Sequence, residues 1–174
     1  MVTLLMFLYF DLKQVDIAII EAGIGGQLDS TNVLSPELVI CTSISFDHTE
    51  TLGDSLIDIA RHKAGVMREN TPILLGRVSE EVSHLFKQKS QELQAPIANI
   101  DREIQLLSTD NQTLRVIYSD WESPNLNLPM LGKHQENNTG LAVTAAHLLT
   151  QRFPKITNQS IQDGICDTHW PGRS

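Results

Sequence analysis

Cysteine is nearly absent: Cys41 and Cys166 are the only two, and neither belongs to a C-x-x-C pair. That argues against both a disulfide framework and a zinc site. A reducing compartment is the simpler setting, so a cytoplasmic protein is expected. Positive charge is also scarce. Thirteen basic residues face 21 acidic ones, for a net charge of −8, which argues against a general nucleic-acid binder with a basic face. Nucleotide binding stays open, because metal ions and a few donors can carry phosphates. No apolar run is long enough to span a bilayer. The longest, Met1 to Phe10, is about half the roughly 20 residues required. It also lacks the basic start and small-residue cleavage site of a signal peptide. Met1–Lys13 is instead expected to be a buried helix leading into the first strand. It begins without a cap, as if the domain started upstream. A G-x-x-x-x-G-K-[ST] phosphate loop is missing too: the only Gly-Lys pair, Gly132-Lys133, is followed by His134. There is no internal repeat, low-complexity segment or linker.

What is present is organised around Val15 to Asn32. A nearly unbroken apolar run, Val15 to Ile20, ends in the carboxylate of Glu21 and is followed by Gly23, Gly25 and Gly26. Such a run suits a strand buried on both faces of a parallel sheet. Ligands of open α/β sheets bind beyond the carboxyl ends of strands, and glycines let backbone approach a ligand closely. An ordinary turn after a strand is the competing reading.

Along the rest of the chain, 38–42 reads as a second apolar strand, followed by the polar Ser43 to Thr49. His48 there is either a ligand or a satisfied structural histidine. Leu56, Ile59, Ala60 and Lys63 share a helical stripe, with Asp54 or Ser55 as N-cap and Gly65 at the helix end. A lysine on such a stripe either snorkels to water or is buried with a partner or a chemical change. Strands are expected at 72–75 and 96–98, and a helix at 79–93 with Val82, Leu85 and Phe86 inward. Short alternating segments from Ile104 to Leu131 predict an antiparallel side sheet, placed at about 96–131 in all. Helices are expected from Gly132 to about Phe153 and from Asn158 to Cys166. The fold class is α/β: a mostly parallel sheet flanked by helices, with that small side sheet.

Five stretches together resemble one family. They are Glu21 to Asn32, Asp47-His48-Thr49 with Leu52-Gly53-Asp54, Lys63 to Val66, Gly132-Lys133-His134-Gln135 with Asn138, and Trp170-Pro171-Gly172-Arg173. In order and spacing they resemble folylpolyglutamate synthase, often bifunctional with dihydrofolate synthase, of the Mur ligase superfamily. Glu21 and His48 are 27 residues apart, and His48 and Lys63 are 15 apart.

The resemblance implies an ATP-dependent ligase adding L-glutamate to dihydropteroate or a reduced folate through an acyl phosphate. It implies Glu21 and His48 as magnesium ligands, with Mg2+ as cofactor and ATP as substrate. It implies a carbamylated Lys63 as the catalytic lysine. Leu28, Asp29 and Ser30 match a pterin-contacting loop, and Asn138 and Arg173 match ATP contacts. His134 receives no role. Gln27 stands where that family commonly has arginine, Ser30 where it has alanine, and His62 where it has glutamate, which leaves pterin specificity open.

The family's phosphate loop and its C-terminal glutamate-binding domain have no counterpart here. The chain therefore reads as an internal piece of the ATPase domain, expected to be inactive by itself. A monomer with small-molecule substrates, no nucleic acid and no membrane is expected. The alternatives are another Mur-type amino-acid ligase and a non-catalytic remnant.

Overall fold

A computed structural model describes residues 2–110, 112–129 and 132–169. The chain divides into two compact units, residues 1–35 with 45–66, and residues 36–44 with 67–174.

The larger unit is built on three parallel strands, β1 (Val39–Ser43), β2 (Ile73–Arg77) and β3 (Ile97–Asn99), side by side in that order. In β2, which is paired on both edges, Ile73, Leu74 and Leu75 are all buried. That is the placement a short apolar run without alternation calls for. Gly76 of β2 lies against the β1 backbone: a Cβ there would sit 1.9 Å from the Thr42 carbonyl oxygen. From β2 the chain passes through α4 (Glu80–Glu92) to β3. Ser79 caps α4 by accepting the Val82 N–H, and Val82 and Phe86 face inward.

Next comes an antiparallel sheet of β4 (Ile104–Asp110), β5 (Thr113–Tyr118), β6 (Trp121–Glu122) and β7 (Leu126–Asn127). The side sheet expected at 96–131 is thus shorter. Residues 97–99 pair in parallel with β2, as the third strand of the main sheet, and Leu131 lies outside the described residues. α5 (Lys133–Leu149) packs against both sheets. One core joins Leu74, Ala98, Leu114, Val116, Leu126 and Leu141, each large aliphatic contributing about 1.5–3 kcal/mol of burial. α6 (Asn158–Cys166) begins in a reciprocal Thr157–Ser160 capping box and inserts Ile161.

The smaller unit holds α1 (Val2–Lys13), α2 (Thr49–Leu52) and α3 (Leu56–Ala64). Two expectations fail here. α1 forms, but none of its residues is buried; Val2 and Leu12 are 81% and 80% exposed. A helix that is apolar all round needs cover on every side, and nothing in this unit encloses it. The strand expected at Val15 to Ile20 is not formed either: residues 15–22 are in no sheet, and Ile19 is 94% exposed. A strand is stabilised by neighbours that pair its N–H and C=O groups, and among the described residues this segment has no ladder partner. Glu21 therefore does not stand at the end of a sheet strand. Among the described residues no helix is long and apolar enough to cross a membrane.

Candidate functional site

The glycine loop packs on both short helices of the smaller unit. Gly25 turns it with φ +67 and packs on Leu52 of α2, where a Cβ would come within 2.7 Å of the leucine side chain. Gly26 brings the loop onto the last turn of α3: its Cβ would lie 3.0 Å from the His62 carbonyl oxygen and 3.1 Å from that of Lys63. The Gln27 N–H then donates to the His62 carbonyl at 2.9 Å. Asn32 Nδ2 ties the loop's far side to the carbonyls of Gln27 (2.9 Å) and Gly65 (3.3 Å). Gly65 does end α3 as expected, but with an ordinary helical φ of −65. Its glycine is needed for proximity, since a Cβ would fall 2.6 Å from the Gln27 Cα.

Asp29 closes the loop on itself. One carboxylate oxygen accepts the N–H groups of Gly23 (2.9 Å) and Ile24 (3.1 Å). The other accepts the Thr31 hydroxyl (2.6 Å) and N–H (2.9 Å). These bonds, the Thr31 hydroxyl first, hold the carboxyl at about 2, below its ordinary 3.8. Hydrogen bonds to the ionised form favour that form. Ser30 shares a 2.7 Å hydrogen bond with Thr3 of α1.

The loop, α2 and α3 enclose a pocket of about 350 Å³. Leu28, Asp29 and Ser30 all line it, together with Ile24, Thr51 and His62. Mostly apolar walls with a few polar groups suit a small organic ligand. Three residues matched by resemblance are therefore brought to one cavity. Two of them, Asp29 and Ser30, are already engaged within the protein.

His48 sits at the N-cap of α2 in a left-handed conformation, φ 49, and makes no side-chain capping bond. Its Nε2 lies 3.7 Å from Asp47 Oδ1. Glu21, two residues before the glycine loop, is exposed and makes no hydrogen bond or ion pair among the described residues. A carboxylate and an imidazole fit magnesium when waters and phosphate oxygens complete the shell. Among the described residues no three His, Cys, Asp or Glu side chains are grouped to hold a metal by themselves.

Lys63 lies in the last turn of α3 beside the buried Ile59, Ala60 and Ala64. It is partly buried, intermediate between the snorkelling and fully enclosed readings. Ser55 is the N-cap, accepting the Asp58 N–H.

Asn138 belongs to the other unit, in the second turn of α5, where its Nδ2 donates to Gln135 Oε1 at 3.5 Å. Arg173 and the rest of the Trp170 to Arg173 motif lie outside the described residues. The sequence reading missed Thr51 as a pocket residue. It noted His62 only as a departure beside Lys63, because no helical periodicity tells which cavity a side chain lines.

The Mur ligase middle domain model matches residues 2–146. A folylpolyglutamate synthase from Lacticaseibacillus casei is 30% identical over 177 residues, covering 99% of this chain and 41% of that protein. A solved folylpolyglutamate synthase complex with AMPPCP and folate superimposes with a TM-score of 0.87 at 29% identity. It covers 95% of this chain and 42% of the solved one. The Escherichia coli FolC protein in complex with DHPP and ADP gives a TM-score of 0.80 at 30% identity. There the cover is 94% of this chain and 37% of the other. The chain thus spans well under half the length of these relatives.

Proposed function

The chain belongs to the Mur ligase family through its middle domain, and from that premise we propose that it serves an ATP-dependent ligase joining L-glutamate to dihydropteroate or a reduced folate. The observation that carries this reading is the glycine-loop pocket, which gathers Leu28, Asp29 and Ser30 on the end of the helix bearing Lys63. Solved relatives at similar identity hold folate or DHPP together with a nucleotide.

In this reading the pocket takes the pterin. Leu28 and Ile24 supply apolar faces, and Asp29 keeps the loop closed. Glu21 and His48 are the residues that would hold magnesium, which when bound sets positive charge against phosphate oxygens. Asn138 and Arg173 are the ATP contacts. The reaction it would serve activates the pterin-bearing carboxylate as an acyl phosphate, which the glutamate amine then attacks with release of phosphate.

Lys63 is the carbamylated lysine. Its neutral amine adds to CO2, forming the N–C bond and releasing one proton, so a cation becomes a carboxylate. The sequence has no phosphate loop, the element whose backbone and lysine cradle ATP phosphates in other enzymes. The chain by itself is therefore not expected to turn ATP over.

Calorimetric titration of the chain tests the substrate class, with dihydropteroate in one arm and a sugar-peptide carboxylate acceptor in the other. Saturable binding of dihydropteroate alone is expected. Binding of the sugar-peptide alone would move the assignment to another Mur-type ligase, and binding of neither would favour a non-catalytic remnant.

A further inference from the structure

In the larger unit, the carboxyl end of the parallel sheet carries a polar network of its own. Arg77 is the last residue of β2 and stands in register with Ser43 at the end of β1, the edge at which open α/β sheets bind ligands. Its guanidinium reaches two further elements. Nε donates to Asn137 Oδ1 of α5 at 3.0 Å, and Nη1 pairs with Asp101 Oδ1 at 3.1 Å. Asp101 is itself held. Its N–H donates to Asn99 Oδ1 at 2.8 Å, and Asn99 Nδ2 donates to Ser83 of α4 at 3.3 Å. The ion pair is half-exposed, so it contributes little to stability. What the guanidinium supplies is direction: donors in one fixed plane, aimed at two separate elements.

α5 needs such a tie near its start. Its N-cap, Gly132, makes no side-chain hydrogen bond, so the first turn lacks the usual side-chain cap. Farther along, Gly140 seats the helix, with a Cβ position 2.6 Å from a Leu106 methyl. Between those two points Arg77 holds Asn137. Asn138 follows Asn137 by about 100° around the helix. It is exposed, and its Nδ2 reaches Gln135 Oε1 only at a long 3.5 Å. Its own hydrogen bond therefore does little to aim the carboxamide, and the turn that Arg77 holds sets its direction.

We propose that Arg77 is a positioning residue for the nucleotide: by holding Asn137, it fixes the rotation of the second turn of α5 and with it the direction of the Asn138 carboxamide. The proposal rests on reading Asn138 as an ATP contact. It gives Arg77 no contact with the nucleotide, so its whole effect passes through Asn138.

The test is ADP binding to the whole chain, followed by calorimetry, together with the Asn138 side-chain amide resonances in NMR. Asn138→Ala should weaken ADP binding about tenfold. Arg77→Met keeps an unbranched stem and removes the donors, so it should weaken binding about three- to fivefold. Asn137→Ala removes the same hydrogen bond from the other end, at a helix position that suits alanine, and should reproduce that loss. In the Asn138→Ala background neither substitution should cost anything further. A loss that adds to that of Asn138→Ala would mean a direct pull on the phosphates or a general loosening of the fold, and would overturn the proposal. In the ligand-free chain the Asn138 side-chain amide resonances should move in Arg77→Met. Resonances that stay in place, or parental ADP affinity in Arg77→Met or Asn137→Ala while Asn138→Ala binds weakly, would also overturn the proposal and leave the ATP-contact reading standing. Unchanged affinity in Asn138→Ala, or no ADP binding by the unsubstituted chain, would overturn that reading and the proposal with it.

Discussion

Leu8 on α1 and Leu114 on β5 are both leucines in regular secondary structure, yet one is 50% exposed and the other fully buried. The contrast runs through their units. In the larger one, two sheets and α5 enclose a single core. In the smaller one, α1 has no buried residue, and the glycine loop is tied by polar, local contacts: the Asp29 network, Gln27 on α3 and Asn32 bridging the loop. One unit is held by burial. The other carries the glycine loop and combines a few buried apolar residues, Leu52, Ile59, Ala60 and Ala64, with hydrogen bonds and close glycine contacts.

Core truncation should expose that division most strongly. Phe86→Ala in α4 removes a fully buried ring and should cost about 3–5 kcal/mol in urea unfolding. Leu8→Ala in α1 should change stability by less than about 0.5 kcal/mol. Comparable losses from the two would erase the distinction.

Gly65→Ala is the counterpart within the smaller unit. Its Cβ would meet Gln27 backbone, so a cost of about 1–3 kcal/mol is expected. Faster hydrogen exchange at the Gln27 amide should accompany it. An unchanged Gln27 amide would mean the loop is not seated on α3.

Acid should act on the two units in separate windows. His147 in α5 stacks on Trp121 at 4.1 Å, and burial pushes its pKa below the ordinary 6.5. The folded state thus favours the neutral ring. Its contribution is complete above about pH 6.5 and is lost as pH falls below that value. Asp29, held at about 2, stabilises the loop above its ordinary 3.8, and that contribution is lost as pH falls from there toward 2. Stability against pH should therefore fall in two steps. His147→Phe should remove the upper step and Asp29→Asn the lower; a variant that leaves its step in place would refute the assignment.

The smallest effect on stability is expected at Lys63. Lys63→Arg should change it by no more than about 0.5 kcal/mol, yet abolish a 13C carbamate signal seen after labelling with 13C-bicarbonate. No such signal in the unsubstituted chain with magnesium present would end the carbamate assignment.

Much of the larger unit was legible in the sequence. The apolar run at 72–75, the Val82 and Phe86 stripe and the alternation after Ile104 each satisfy a burial pattern inside the chain, so local pattern and final structure agree, while the run at 38–42 forms its strand with Val39 and Cys41 buried and Ile40 41% exposed. Val15 to Ile20 has the same kind of pattern, but it is unpaired and exposed. A run of residues states what environment a segment suits. Whether partners supply that environment is a tertiary matter. At the site, the glycines and the Leu28-Asp29-Ser30 run were readable because turn chemistry is local. Asp29's saturation by its own loop was not readable, nor was the exposure of Thr51 and His62 to the cavity. Both depend on how α2 and α3 meet that loop.

The most direct test is amide hydrogen exchange across the whole chain, with and without saturating dihydropteroate. Slowing of exchange should be concentrated at the loop around Gly23 to Ser30, at Thr51 and Leu52, and at His62. β2 and β5 should be strongly protected in both states and unchanged. Ligand-induced protection confined to the larger unit, or none in the glycine loop, would contradict the account.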